Sequence, residues 1–501
     1  MTTDRILYGH VIDGQNVPGS GARLLDIHEP ATGAVTARVD CADAATIEAA
    51  IASAQAAFPA WAALTPQRRA RVLTRFLMIL EDRKDELAKV LAREHGKTVT
   101  DALGEIQRGY EAVEFACGIP HLLKGESSPG VGPGIDTVSQ REPLGVVAGI
   151  TPFNFPAMIP MWMFGVAVAT GNCFILKPSE RDPGVPMMLS EWMLEAGAPA
   201  GVLSCLNGDR QVVEALLDDK RVKAISFVGS SDIAEAVYAR GALNGKRVQA
   251  MGGAKNHLVV APDANMDTVV NALLGAAYGS AGERCMAISV VVPIGDETAR
   301  RLITALKPRV EALNVGPSTD PKSDFGPLIS SAHRSRVLQY IEDGLAAGAE
   351  LLVDGRDISV EGHADGFYLG PCLFDRVTED MRIYQEEIFG PVLCVTRAQS
   401  LEEAIALPSK HPYGNGVAIF TDSGGMAREF AQKVNTGMVG VNVPLPVPLS
   451  FYSFGGWKRS AYGGFNQHGM DGVRFYTQTK TIISRWPDAP LGAEFTMPIV
   501  R

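Results

Sequence analysis

Between residues 43 and 94 apolar positions recur at helical spacing, as in Ile47-Glu-Ala-Ala-Ile51 and Arg71-Val-Leu-Thr-Arg-Phe-Leu-Met-Ile-Leu80, with no strand signal. This predicts Ala-rich amphipathic helices packed outside a sheet. Residues 125–134 are rich in Gly, Pro and Ser, and Ile135-Asp-Thr-Val-Ser-Gln-Arg141 then alternates like an exposed strand, so the two together predict a hairpin projecting from the body. From Gly145 short apolar runs at 145–150, 173–176, 202–206 and 224–228 alternate with helical stretches such as 186–196. That alternation predicts a parallel, doubly wound sheet with helices on both faces. A second series after Asn256, at 257–261, 288–293, 391–395 and 416–420, predicts a second α/β domain. The uncharged stretch 156–176 is about long enough to cross a bilayer, but Pro156, Pro160, Gly165, Gly171 and Asn172 interrupt it. A buried helix over 158–170 and a strand over 173–176 are expected there instead.

At 501 residues the chain exceeds the size at which a single core stops growing, so two or three domains are expected. With 46% hydrophobic and 20% charged residues it reads as an ordinary globular protein. A net charge of -10 opposes nonspecific binding to nucleic acid or an anionic membrane, so any anion site must be built locally. The seven cysteines lack C-x-x-C spacing, which argues against a metal site or a disulfide framework and fits a reducing cytoplasm. The first ten residues lack the apolar core of a signal peptide, so no export is expected.

Candidate chemistry gathers at four places. Cys285 lies in Gly275-Ala-Ala-Tyr-Gly-Ser-Ala-Gly-Glu-Arg-Cys-Met-Ala-Ile-Ser289, at the end of a helix-like run and just before an apolar strand. Small neighbours suit a reachable nucleophile, although a buried structural thiol fits the same pattern. Arg284 beside it could favour the thiolate and grip a carboxylate in bidentate fashion. In Thr151-Pro-Phe-Asn-Phe-Pro156, prolines and aromatics clamp Asn154 after a strand, as an oxyanion donor requires or as a structural turn would. Lys177-Pro-Ser-Glu180 follows a strand where doubly wound sheets bind nucleotides, and reads either as a grip on ribose hydroxyls or as a solvated turn. A carboxylate there would repel an added 2′-phosphate, favouring NAD over NADP. Ser226-Phe-Val-Gly-Ser-Ser-Asp232 leads into a helix and could offer Gly229, Ser230 and free amides to a phosphate, or be a plain cap. Asp232 places a negative charge at that helix start, which would weaken cofactor binding if it pointed inward. Gly130-Val-Gly-Pro-Gly134 has no strand before it and reads as a turn rather than a dinucleotide fingerprint.

With Glu386-Glu-Ile-Phe-Gly-Pro-Val392, Tyr413-Gly-Asn-Gly-Val-Ala-Ile-Phe-Thr421 and Phe454-Gly-Gly-Trp-Lys-Arg-Ser460, these pieces resemble the aldehyde dehydrogenase superfamily over essentially the whole chain. The resemblance implies an NAD-binding domain at 1–121 and 144–254 and a catalytic domain at 255–468, both α/β and doubly wound. It also implies a small β arm for oligomerisation at 122–143 and 469–495. By the same resemblance Cys285 is the nucleophile, while Asn154 and the Cys285 amide hold the oxyanion. Thr151, Phe153, Lys177, Glu180, Gly229, Ser230, Glu387 and Phe389 then hold NAD. The segment Val248-Gln-Ala-Met-Gly-Gly-Ala-Lys-Asn-His257 carries no carboxylate where hydrolytic members have their water-activating Glu, so another acyl acceptor is expected. Phe153, Ala254-Lys-Asn-His257, Gly282-Glu-Arg-Cys-Met-Ala287, Arg108-Gly-Tyr-Glu-Ala-Val-Glu-Phe-Ala-Cys117 and Val473-Arg-Phe-Tyr-Thr-Gln-Thr-Lys-Thr-Ile482 resemble the CoA-acylating methylmalonate-semialdehyde dehydrogenase branch. That implies CoA as co-substrate, (methyl)malonate semialdehyde as substrate, and Arg108 and Arg284 as carboxylate ligands. It also implies a dimer or tetramer. The alternative is a hydrolytic aldehyde dehydrogenase that releases a carboxylic acid; a silent protein retaining the fold fits less well, because Cys285, Asn154 and Glu387 are all present.

Overall fold

The computed structural model describes residues 6–486, so positions 1–5 and 487–495 of the expected domain and arm lie outside the described residues. Among those described, one sheet of eight strands runs Ala461–Tyr462, Arg247–Met251, Val222–Val228, Val146–Ile150, Cys173–Lys177, Leu203–Cys205, His10–Ile12 and Gln15–Val17 in spatial order. Its five central strands are parallel and its edges antiparallel. Strands such as Val146–Ile150 and Cys173–Lys177 are buried at every position, which is why they read as unbroken apolar runs. The chain starts the parallel series at Val146–Ile150, builds outward to Leu203–Cys205, then returns to place Val222–Val228 on the other side. The switch point therefore lies beyond Ile150 and Val228, where such sheets bind ligands.

A second sheet runs Glu350–Val353, Cys372–Asp375, Val392–Val395, Ile288–Pro293, Asn256–Val260, Gly416–Phe420 and Met438–Val441, parallel except at its first strand. Only residues 252–255 separate Met251, at the carboxyl end of a first-sheet strand, from Asn256, at the amino end of a second-sheet strand. The carboxyl edge of one sheet thus meets the amino edge of the other. Each sheet has its own hydrophobic core.

Helices Ala44–Ala63 and Pro66–His95 form as their periodicity predicts. The second begins with Thr65 capping the Arg68 N–H and Pro66 in the first turn, and stops at Gly96 in the left-handed region. Met158–Ala169 is buried at every residue and its polar cap follows at Thr170, so this apolar stretch is core. Among the described residues no helix is long and apolar enough to span a membrane. Residues 6–40, for which the sequence pattern predicted no element, hold five strands of three to six residues each. Strands that short carry too few positions for a period to register.

The expected hairpin is Ser127–Gly132 with Ile135–Pro143, and Thr477–Arg485 pairs antiparallel along the latter from Thr477 opposite Pro143 to Arg485 opposite Ile135. Buried Asn172 ties this arm to the first sheet. Its Oδ1 accepts from the Leu144 and Gly145 N–H groups at 2.7 and 3.0 Å, and its Nδ2 donates to the Tyr476 carbonyl at 2.9 Å. Asn172→Ala leaves these backbone groups unpaired, so it is expected to destabilise the fold by about 3 kcal/mol or more. An unchanged denaturant midpoint would contradict that role.

Candidate active site

The approach to Cys285 is a tightly bent turn. After helix Met266–Tyr278, Ser280, Ala281 and Gly282 are all left-handed, with φ of 54°, 52° and 73°. Two of these are not glycine, a strain held by the surrounding packing. At Gly282 a Cβ would fall 2.2 Å from the Gly390 carbonyl oxygen, so nothing larger fits. The Asn256 amide donates to the Cys285 and Ala287 carbonyls at 2.9 and 3.0 Å, and Asn415 adds a bond to the Cys285 carbonyl at 3.2 Å. These bonds fix the main chain while the partly buried thiol faces a pocket that Ala254, Asn256, Arg284, Glu387 and Phe389 also line.

Burial dominates the electrostatics at the thiol. Burial pushes the Cys285 thiol up to about 12 and the Glu387 carboxylate adds to the rise, while nearby backbone N–H groups and Arg284 pull weakly the other way. Arg284 acts in the expected direction but burial outweighs it, and its Nη2 lies 2.6 Å from Asp101 Oδ1. Glu387 is buried as well. Its Oε1 accepts from the Ala254 N–H at 2.9 Å, and burial raises its carboxyl to about 7 despite that bond and Lys255.

Asn154 Nδ2 donates to the Glu283 carbonyl at 3.0 Å, leaving its second amide hydrogen for another acceptor. The Asn154 carbonyl accepts from Lys97 Nζ at 2.7 Å, and that fully buried ammonium also meets Glu105 Oε2 at 2.8 Å. Glu105 Oε1 accepts from the Ala157 and Met158 N–H groups at 2.8 and 3.1 Å. Lys97 and Glu105 thus clamp the Asn154 loop from both ends, and the sequence reading missed both. A signal existed: Asp101, Glu105 and Arg108 fall at i, i+4 and i+7 on helix Val99–Cys117 and so share one face. Arg108 sits two turns beyond Asp101, its guanidinium held by Glu111 at 2.7 Å and by the Pro448 carbonyl at 2.7 Å.

The remaining candidates lie at the carboxyl edge of the first sheet. Lys177 Nζ pairs with Glu180 Oε2 at 3.0 Å. Buried Thr151 Oγ1 has no hydrogen-bond partner among the described residues. Gly229 ends the strand Val222–Val228, and Ser230 precedes helix Ser231–Leu243 without a side-chain capping bond. Asp232 points away, exposed and paired to Arg459 Nη2 at 2.7 Å, so the feared repulsion at the helix start is relieved. Phe153 meets Phe389 edge-on at 5.9 Å, with the Arg181 guanidinium 5.2 Å from its ring centroid. The structure thus gathers Cys285, Arg284, Glu387 and Phe389 at one pocket, with Phe153 against Phe389 and Asn154 bonded to the same turn. Lys177, Glu180, Gly229 and Ser230 sit along the neighbouring sheet edge.

The profile of the Aldehyde dehydrogenase family matches residues 17–482. The malonate-semialdehyde dehydrogenase of Pseudomonas aeruginosa is 55% identical over 478 residues, covering 95% of this chain and 96% of that protein. The mitochondrial, acylating methylmalonate-semialdehyde dehydrogenase of Arabidopsis thaliana is 47% identical, covering 98% of this chain and 80% of that protein. A candidate methylmalonate-semialdehyde dehydrogenase from Sinorhizobium meliloti, solved in complex with NAD, superposes with a TM-score of 0.96 at 57% identity, over 98% of this chain and 99% of that one.

A thiol raised to about 12 has a thiolate fraction that grows about tenfold per pH unit across the neutral and mildly alkaline range. Alkylation of Cys285 by iodoacetamide in the ligand-free protein should climb with that slope from about pH 7 to 10. A plateau below about pH 9, read by peptide mass spectrometry, would show that another group activates the resting thiol.

Proposed function

Because the chain belongs to the aldehyde dehydrogenase family, we propose that it oxidises malonate or methylmalonate semialdehyde with NAD. The reaction runs through a thioester on Cys285 that loses carbon dioxide and passes to CoA as acetyl-CoA or propionyl-CoA. One observation carries this reading: Cys285 and Arg284 share a pocket beside the clamped Asn154 amide, while the adjoining segment 248–257 brings no carboxylate.

The residues present fit the dinucleotide. Thr151 offers a buried hydroxyl with no partner among the described residues, and Ser230 leaves the amides of a helix start uncapped. In this reading Lys177 and Glu180 grip the adenosine ribose, and Gly229 and Ser230 meet the pyrophosphate. Thr151 and Phe153 border the path to the nicotinamide, whose ribose and ring Glu387 and Phe389 hold. NAD, when bound, supplies the hydride acceptor.

The Cys285 sulfur adds to the aldehyde carbon while the free N–H of Asn154 and the Cys285 backbone N–H meet the developing oxyanion. Once the acyl group is a thioester, breakage of its bond to the carboxylate leaves the electron pair on an enolate oxygen in the same hole. One electrostatic arrangement therefore serves both steps. After protonation of the enolate carbon, the CoA thiol displaces Cys285. Arg284 and Arg108 bind the substrate carboxylate, exchanging or sharing their present partners Asp101 and Glu111.

One observation favours hydrolysis to the carboxylic acid instead: Glu387, raised to about 7, borders the thiol's pocket and could act as a base. Its bond to the Ala254 N–H and its place at the nicotinamide argue for a binding role.

We assign 1–121 and 144–254 to NAD binding, 255–468 to catalysis, and 122–143 with 469–495 to a bridging arm. The arm's outer edge, which carries no further strand among the described residues, and exposed Ile483 suit pairing with a second copy in a dimer or tetramer. Seven free thiols suit the reducing cytoplasm.

Two measurements test the reaction. With semialdehyde and NAD but no CoA, a single NADH burst should be followed by little acid release, and CoA should restore turnover. Brisk acid formation without CoA would establish the hydrolytic reading. Arg284→Ala and Arg108→Ala should each lower kcat/KM for the semialdehydes by about 10- to 100-fold, the worth of a hydrogen bond to a charged group. Propanal should change little, and equal losses on both aldehydes would remove the carboxylate grip.

A further inference from the structure

None of the steps above uses Glu283, a side chain without solvent exposure two residues before Cys285. Its main-chain carbonyl accepts the Asn154 amide at 3.0 Å. Its Oε1 accepts from the Ile329 N–H at 3.2 Å and lies 3.5 Å from His333 Nε2. That same Nε2 is 2.6 Å from the Phe389 carbonyl, which as an acceptor requires the imidazole to donate there. The other carboxyl oxygen, Oε2, faces His95 Nε2 across 3.9 Å, and neither has a hydrogen-bond partner among the described residues. The Phe153 ring lies beside both imidazoles, 6.0 Å from His95 and 6.4 Å from His333.

We propose that Glu283 is a positioning residue: its main-chain carbonyl holds the oxyanion amide of Asn154 while its buried side chain packs against His333, which in turn bonds the Phe389 carbonyl.

The charges facing it support the uncharged form. From the end of helix Pro66–His95 come His95 and then Lys97, whose ammonium Glu105 already holds at 2.8 Å. The loop after Cys173–Lys177 brings Arg181, lying over Phe153. Helix Ser331–Ala346 brings His333, and neighbouring Arg284 is paired to Asp101 at 2.6 Å. Among the described residues no Lys or Arg pairs with the Glu283 carboxyl directly. Burial pushes it up to about 8, with the Ile329 N–H, Lys97 and Arg181 opposing and losing. Burial also keeps both imidazoles neutral, His333 near 4 and His95 well below its ordinary value. Ionisation as the pH passes about 8 would place a charge without a cationic partner in this buried cluster and disturb the groups packed around it.

This inference rests on the thioester reading. The test follows the pre-steady-state NADH burst of wild type, Glu283→Ala and Glu283→Gln between about pH 6.5 and 9.5. Glu283→Ala should slow the burst by about tenfold or more. Glu283→Gln, neutral and of the same shape, should recover most of that loss at pH 7. The ratio of Glu283→Gln to wild-type burst rate should then rise above about pH 8, because only wild type ionises there. A ratio flat across the range, or a Glu283→Gln as slow as Glu283→Ala, overturns the assignment. Lack of any burst in wild type overturns the thioester reading itself, and this inference with it.

Discussion

The Lys97 ammonium, cut off from solvent, meets Glu105 at 2.8 Å and the Asn154 carbonyl at 2.7 Å, with the Phe155 ring 4.5 Å away. A buried charge is tolerated only when it is paired and its hydrogens are used, so this geometry leaves the loop after Ile150 little freedom. Glu105 carries the constraint further by accepting the amides that open helix Met158–Ala169. Helix Val99–Cys117, the Asn154 loop and the core helix are therefore held as one unit. On the same helix face Asp101 aims Arg284 and Arg108 reaches the Pro448 loop. Shift this helix along its axis and the Asn154 amide, both arginines and the Cys285 turn lose register together.

The seam between the sheets explains why the chemistry sits where it does. The first sheet presents its carboxyl ends, from which the Thr151, Lys177 and Gly229 segments leave, and the second presents the amino ends of Asn256–Val260 and Ile288–Pro293. Residues 252–255 cross between them in close contact with both. A Cβ on Gly253 would fall 2.4 Å from Glu387 Oε2, so the backbone itself forms the wall against which that carboxyl is held. Beyond its two glycines this segment offers only the side chains of Ala254 and Lys255, neither of them a carboxylate. Lys255 is turned away, donating to the Ile383 and Glu386 carbonyls at 2.7 and 2.8 Å.

Charge in the site is held in reserve. Arg284 is paired with Asp101, burial raises the Cys285 thiol, and Glu283 and Glu387 are raised by burial as well. Such a pocket does not favour a free thiolate, and ligands entering it change its balance. Any carboxylate that reached Arg284 would compete with Asp101 for it and so alter the field at the sulfur.

Much of this was legible in the sequence. Unbroken apolar runs, Gly-rich turns and period-3.6 helices specify the two parallel sheets and the projecting hairpin, because those patterns follow from local backbone geometry and burial. The order of Asn154, Cys285 and Glu387 along the chain, and the lack of a carboxylate in 248–257, were equally visible, but what they imply came from the family resemblance rather than from residue type alone. What only the tertiary structure decided are the partners. Asp101 opposite Arg284, Lys97 beneath Asn154, Arg459 drawing Asp232 outward and the histidines around Glu283 are brought together from positions 57 to 227 residues apart in several of these pairs. Charge state depends on burial and on such neighbours, and neither exists until the chain has folded.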